Sequence, residues 1–231
     1  MQNVQKKGNA NVIVAENVHK SYQMGKIIVE ALRGVDLQIT KGEMVAIMGP
    51  SGCGKTTLLN CLAGLDDVTE GKIWINGVLL NTMNDNQKSE FRAKNMGFVF
   101  QFYNLLPVLT ALENVEMPLR IIGVEPKTAR ERAKKLLETV GLANRAEHKP
   151  AELSGGQRQR VTIARALASE PLIVWADEPT GDLDSNTSSE ILDLMVDLNK
   201  SNRQTFILVT HDKLVASRAN RIIQMHNGKI V

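Results

Sequence analysis

Apolar residues along this chain fall into short runs of strand length and longer stretches of helical spacing, and the two kinds alternate. Val12–Ala15, Val18–Tyr22, Ile27–Leu32 and Val35–Ile39 are strand patterns separated by polar breaks, a turn at Gly25 and a stop at Lys41-Gly42. They predict an antiparallel edge added to a central sheet. Met44–Met48 is a continuous apolar run, and Thr57–Ala63 after it has helical spacing. Lys72–Ile75 reads as a strand closed by a turn at Asn76-Gly77. From about Asn86 the texture becomes helical. Asp85 is a candidate cap for a helix over Gln87–Asn95, and Gly97–Gln101 is a short strand. Thr110 and Glu113 have capping-box spacing. Helices are predicted over Ala111–Ile122 and Lys127–Val140, with Pro118 expected to kink or end the first and Gly141 to stop the second. Strand texture returns at Leu172–Ala176. A helix over Thr187–Leu198, a strand at Phe206–Val209, a short helix and a hairpin around Asn227-Gly228 complete the chain.

Strands alternating with helices imply an α/β fold with a mostly parallel sheet, in which ligands gather at the carboxyl ends of the strands. Three apolar strands here end in chemistry-bearing residues, at Gly49, Asp177-Glu178 and His211. The 231 residues suffice for one sizeable domain, read as a core over 1–87 and 166–231 with a helical insert over 88–165. A composition of 43% hydrophobic and 23% charged residues argues against disorder, and a net charge of +3 gives no reason to expect nucleic acid. Cys53 and Cys61 lack metal-ligand company, which favours a reduced compartment. Met1–Asn11 is polar with Lys6 and Lys7 and no apolar h-region follows it, so no signal peptide is expected. No apolar run approaches the roughly 20 residues that span a bilayer, so the chain is expected to be soluble and to reach a membrane only through a partner.

The richest chemistry lies in Gly49-Pro50-Ser51-Gly52-Cys53-Gly54-Lys55-Thr56, which fits G-x-x-x-x-G-K-[ST] between a strand and a helix. Glycines let backbone N–H groups converge at a helix N-terminus, where orphan donors and the dipole favour an anion. Residues Gly49 through Thr57 are thus candidate nucleotide contacts. Lys55 would reach the β- and γ-phosphates and the Thr56 hydroxyl would ligate Mg²⁺. Asp177 would hold that ion through water. Glu178, expected on the opposite strand face, would serve as general base, typically a contribution of about 10²- to 10⁴-fold. The plainer reading of these two acids is a solvated strand end. Leu153-Ser154-Gly155-Gly156-Gln157 opens another helix with Ser154 as N-cap; it is either a second anion site or only a capped helix.

These motifs, in this order and over nearly the whole chain, resemble the ATPase subunits of ABC transporters, with a P-loop NTPase (RecA-like) core, an antiparallel β subdomain and an inserted helical subdomain. Gly49–Thr56 resembles the Walker A motif and Leu153–Gln157 matches the signature LSGGQ. Ile173–Glu178 is similar to Walker B, with Trp175 in a place more often aliphatic. Gln101 falls at the Q-loop glutamine and His211 at the switch histidine. Asp184 is the acid of a D-loop in Gly181-Asp182-Leu183-Asp184, and Tyr22 takes the place of the aromatic that stacks on adenine. The resemblance implies two copies packed head to tail around two Mg-ATP, each Walker A loop facing the other copy's Ser154, Gly155, Gly156 and Gln157. It further implies that Gln101 touches the Mg²⁺ shell and moves with the transport partner. His211 would hold the γ-phosphate and the attacking water. A separate integral membrane permease is implied, with this subunit on the cytoplasmic face of the membrane. Phe100–Thr110 is unusually apolar for a loop, either local core or a groove for a permease helix. With Glu178-Pro179-Thr180-Gly181 it looks most like the subgroup serving lipoprotein release and macrolide or peptide export. The alternative is a regulatory ATPase signalling through a membrane partner to an envelope enzyme. A chromosome or repair ATPase does not fit, because no long coiled coil separates Lys55 from Ser154. Cys53 departs from the usual small residue. A thiol lowered in pKa by the nearby helix N-terminus would make alkylation inactivating and ATP protective.

Overall fold

A computed structural model describes residues 11–231; the polar stretch 1–10, read above for a targeting signal, lies outside the described residues. The chain opens with two 14-residue strands, β1 (Asn11–Met24) and β2 (Ile27–Thr40). Strand β3 (Met44–Met48) leads into helix α1 (Lys55–Leu62), followed by β4 (Glu70–Ile75) and β5 (Val78–Leu79). Next come α2 (Asp85–Asn95), β6 (Met96–Phe100), α3 (Ala111–Ile121), α4 (Pro126–Thr139) and α5 (Gly155–Leu167). The last part is β7 (Ile173–Asp177), α6 (Ser185–Asn202), β8 (Thr205–Thr210), α7 (Lys213–Ser217), β9 (Arg221–His226) and β10 (Lys229–Ile230).

Four strands form an antiparallel sheet of order β2-β1-β4-β5, separate from the central sheet of order β10-β9-β3-β8-β7-β6. This corrects the expected edge on the central sheet. The expected short strands at the start are two long ones, because the polar breaks are register shifts, as between Ala15 and Val18, where Asn17 turns left-handed at φ 47°. In the central sheet β9, β3, β8, β7 and β6 run parallel and only β10 is antiparallel.

The period of two along each central strand divides the interior. Met44 and Ala46 of β3 join one apolar cluster with Leu112 and Val115 of α3, Leu137 of α4, Val161 of α5 and Leu192 of α6. Val45 and Ile47 join the other, with Leu58 and Leu62 of α1 and Ile13 and Ile39 of the small sheet. The central sheet is thus a wall: α1 lies on one face, α5 and α6 on the other.

Local chemistry sets the helix ends. Thr110 Oγ1 accepts from Glu113 N at 3.2 Å while Glu113 Oε2 accepts from Thr110 N at 2.8 Å, as the spacing predicted. For α2 the cap is Asn84, not Asp85; Asn84 has the extended backbone of a cap and a reciprocal box with Gln87. Asp85 instead sits in the first turn, where the helix dipole favours its charge. Helix α3 runs three residues past Pro118 and ends at Ile121, and Gly141 follows α4 with φ 75°. Among the described residues no helix is long and apolar enough to cross a membrane.

Candidate active site

The loop between β3 and α1 turns left-handed at Gly54, φ 102°, and among the described residues no side chain caps the helix that follows. Its first N–H groups are therefore open to an anion. Lys55 is buried, and its Nζ donates across the loop to the carbonyls of Gly49 (2.9 Å) and Pro50 (3.0 Å). Thr56 Oγ1 lies 3.5 Å from Asp177 Oδ2. Burial, then the adjacent Glu178, hold the Asp177 carboxyl above the usual carboxylate range, outweighing the Thr56 hydrogen bond and Lys55. A hydroxyl and a carboxylate so placed are hard oxygen donors that suit Mg²⁺, whose charge would offset both burial and repulsion.

Glu178 does not continue the strand, which corrects the expected alternation of faces. Strand β7 ends at Asp177, and Glu178 turns left-handed at φ 47°. The turn carries its carboxylate to the end of β8, where Oε2 accepts from Thr210 Oγ1 (2.9 Å). Oε1 accepts from the His211 backbone N–H (3.1 Å) and lies 2.6 Å from His211 Nδ1. His211 is 72% exposed, so its ring can meet a ligand while one nitrogen stays on Glu178.

A cavity of about 390 Å³ collects Ser51, Gly52, Gly54, Lys55, Thr56, Thr57, Asp177, Glu178 and His211, with Val29 and Asn227 at its wall. Gly49, Pro50 and Cys53 belong to the same loop but do not line the cavity. Cys53 is 4% exposed, with its side chain in the α1-side cluster. This overturns the expected reactive thiol: the side chain faces the core, and only the backbone of Cys53 serves the loop.

Gln101 follows β6 and lines an adjoining cavity with Glu178, Gly181 and His211, its Nε2 donating to Asp182 Oδ1 at 3.4 Å. Asp184 caps α6, which starts at Ser185 rather than at the predicted Thr187. Its Oδ1 accepts from Asn186 N (3.1 Å) and Thr187 N (3.0 Å), and its Oδ2 from Thr187 Oγ1 (2.6 Å). The Thr187 hydrogen bonds hold its carboxyl below the usual range. Tyr22 stands directly across from Val29 in the β1–β2 register but does not itself line the cavity. Its hydroxyl donates to Asp66 Oδ2 (2.7 Å), and Lys20, paired with Asp66 at 2.6 Å, lies 4.8 Å from the ring centroid.

Ser154 caps α5 with Gln157 as its reciprocal partner. Gly156 is required by close approach: a Cβ there would lie 2.5 Å from the Thr187 methyl, so a side chain would lever α5 away from α6. None of Ser154, Gly155, Gly156 and Gln157 lines the cavity of the phosphate loop.

Among the described residues, the sequence reading missed the two most deeply buried amides. Gln159, 1% exposed, donates from Nε2 to the carbonyl of Pro179, tying α5 to the turn after Glu178. Asn114, fully buried, binds the loop before α3 through both its oxygen and its nitrogen. Each is a polar residue on an otherwise apolar helix stripe, and that mismatch was the available signal. Trp175 is fully buried, and its indole N–H has no partner among the described residues.

A family model described as ABC transporter matches residues 32–181. The lipoprotein-releasing system ATP-binding protein LolD of Legionella pneumophila (strain Paris) is 50% identical over 96% of this chain and 98% of its own length. LolD of Xanthomonas campestris pv. campestris (strain 8004) is 47% identical over 96% and 92%. Among solved structures, a dimeric post-hydrolysis state of the ATP-binding cassette MJ0796 bound to ADP and Pi superposes with TM-score 0.86 at 45% identity, covering 94% of this chain and 96% of that one. The chain belongs to the ABC transporter family as one of its ATPase subunits.

Proposed function

We propose that two copies of this chain pack head to tail around two Mg-ATP and drive a separate membrane permease whose cargo is a lipoprotein. The observation that carries the reading is the wall of the central sheet: Ser154–Gln157 open a helix on the face opposite α1 and do not line the phosphate-loop cavity. An anion site on each face of one sheet finds a common phosphate when a second copy supplies the other half. The neighbouring structure is described as dimeric, and the relatives are named for lipoprotein release.

Backbone N–H groups within 51–57 and the Lys55 ammonium hold the phosphates, with Tyr22 beside the adenine. Thr56, Asp177 and Gln101 would hold Mg²⁺, which would supply charge neutralisation for the phosphate oxygens. Glu178 takes a proton from water as its oxygen attacks the γ-phosphorus and the bond to the ADP oxygen breaks. Its three contacts from Thr210 and His211 fix the direction of that carboxylate. His211 steadies the γ-phosphate, and Ser154, Gly155, Gly156, Gln157 and Asp184 close the site across the pair.

The expected insert over 88–165 narrows, because β6 within that span belongs to the central sheet; α3 and α4 serve as the helical part facing the permease. An apolar groove of about 330 Å³, lined by Phe98, Phe100, Met117, Pro118 and Ile121, is suited to a cytoplasmic helix of that partner, and Phe102 beside it is 71% exposed. The subunit therefore works at the cytoplasmic face of the membrane. Light scattering on Glu178→Gln tests the pairing: it should bind ATP, hydrolyse it about 10²- to 10⁴-fold more slowly, and form a dimer only with Mg-ATP. A monomer in both conditions, with the permease as well as without it, would refute the composite site.

A further inference from the structure

The loop after Gln101 passes through two consecutive non-glycine residues in left-handed backbone, Tyr103 at φ 59° and Asn104 at φ 49°. Asparagine visits that region readily, whereas a bulky aromatic does not. Such a loop persists only where its surroundings over-determine it. Here the surroundings are one face of α5. Arg165 Nη1 donates to the Asn104 carbonyl at 2.5 Å and its Nη2 donates to the Tyr103 carbonyl at 2.8 Å. The rigid fork of a guanidinium spans both acceptors, which a lysine ammonium cannot do. Burial pulls the Arg165 pKa down to about 10, which leaves it charged at neutral pH. Two turns nearer the N-terminus of α5, the Arg158 guanidinium stands 5.0 Å from the Tyr103 ring centroid. The Tyr103 hydroxyl reaches the start of the helix, 3.1 Å from where a Cβ on Gly155 would sit.

We propose that Arg165 is a positioning residue for ATP hydrolysis. It clamps Tyr103 and Asn104 in left-handed backbone, so that Gln101 and the helix opened by Ser154 move as one body. The proposal rests on the reading of Gln101 as a contact of the Mg-ATP site. Arg165 and Asn104 also line the apolar groove, so whatever fills the groove meets the clamp itself.

The test compares Arg165→Lys, Asn104→Gly, the two combined, Gln101→Ala and the unaltered chain, by kcat and KM for ATP and by melting temperature. Losing the clamp on two left-handed residues should lower kcat of Arg165→Lys roughly 5- to 30-fold, with KM and melting temperature nearly unchanged. Asn104→Gly alone should lower kcat less than Arg165→Lys does. In the Arg165→Lys background it should recover part of the loss, because glycine holds a positive φ without a clamp. The clamp is refuted by a kcat for Arg165→Lys within about twofold of the unaltered chain, or by a loss that follows the melting temperature and ignores Asn104→Gly. If Gln101→Ala lowers kcat while Arg165→Lys does not, the clamp alone is wrong. If Gln101→Ala changes nothing, the placement of Gln101 is wrong, and the proposal falls with it.

Discussion

Replacing Asn114 by leucine isolates the contribution of one buried amide. Asn114 is fully buried in α3 between apolar neighbours. Its Oδ1 accepts from Leu106 N at 2.8 Å, and its Nδ2 serves the carbonyls of Leu106 (3.2 Å), Leu109 (3.2 Å) and Thr110 (2.9 Å). Leucine has nearly the same shape, so the cavity stays filled while all four contacts go. A neutral hydrogen bond contributes about 1 kcal/mol net, and two amide protons are shared among three carbonyls, so the loss should be about 2–4 kcal/mol. Urea unfolding measures it directly, as a lower midpoint at unchanged slope. Limited proteolysis gives the location, with new cleavage expected between Gln101 and Thr110. A loss under about 0.5 kcal/mol, the range of an ordinary surface change, would show that water replaces the amide and that Asn114 does not organise this loop.

Three further outcomes are expected. Gly156→Ala should lower ATPase activity by forcing α5 off α6, and Thr187→Ser in the same chain should restore part of it, removing the obstructing methyl while keeping the hydroxyl on Asp184; absence of rescue would exclude the Thr187 contact as the cause. Native protein should resist a maleimide, since Cys53 and Cys61 are 4% and 2% exposed, and labelling as fast as that of a free thiol would contradict the buried placement. Burial, and then the hydrogen bond to Asp66, push the Tyr22 phenol up from 10.0 to about 12. A raised folded pKa favours the neutral phenol, so this contribution is complete below about pH 10 and is lost as pH rises through about 12. Ultraviolet titration of Asp66→Asn should show the value falling part of the way back, and an unchanged titration would remove Asp66 as a cause.

What could be read from the sequence was whatever is encoded by neighbours in the chain. The glycine loop before α1, the capping box at Thr110 and Glu113, and the Ser154 cap each need only a few adjacent residues, and the structure has them at the predicted positions. Features made by distant partners were not legible. The breaks in β1 look like turns in sequence and become register shifts only because β2 runs alongside. Glu178 reads as a continuation of its strand, yet its backbone turns toward Thr210 and His211, on a strand more than thirty residues later. Cys53 reads as part of a phosphate contact, and its buried side chain is visible only once α1 packs on the sheet. Asp184 was legible as an acid in a motif but not as the cap of α6, because the polar first turn of that helix carries no apolar period.

The wall formed by the central sheet has a consequence for inheritance. In the head-to-tail pair proposed above, each site would take its phosphate loop from one copy and its capped α5 from the other. One change in the sequence therefore enters both sites at once. A chain damaged at Lys55 and a chain damaged at Ser154, each inactive with its own kind, assemble one site from two damaged halves and one from two sound halves. Mixing them should return part of an activity that neither possesses, which is intragenic complementation arising from which face of a sheet a helix packs on.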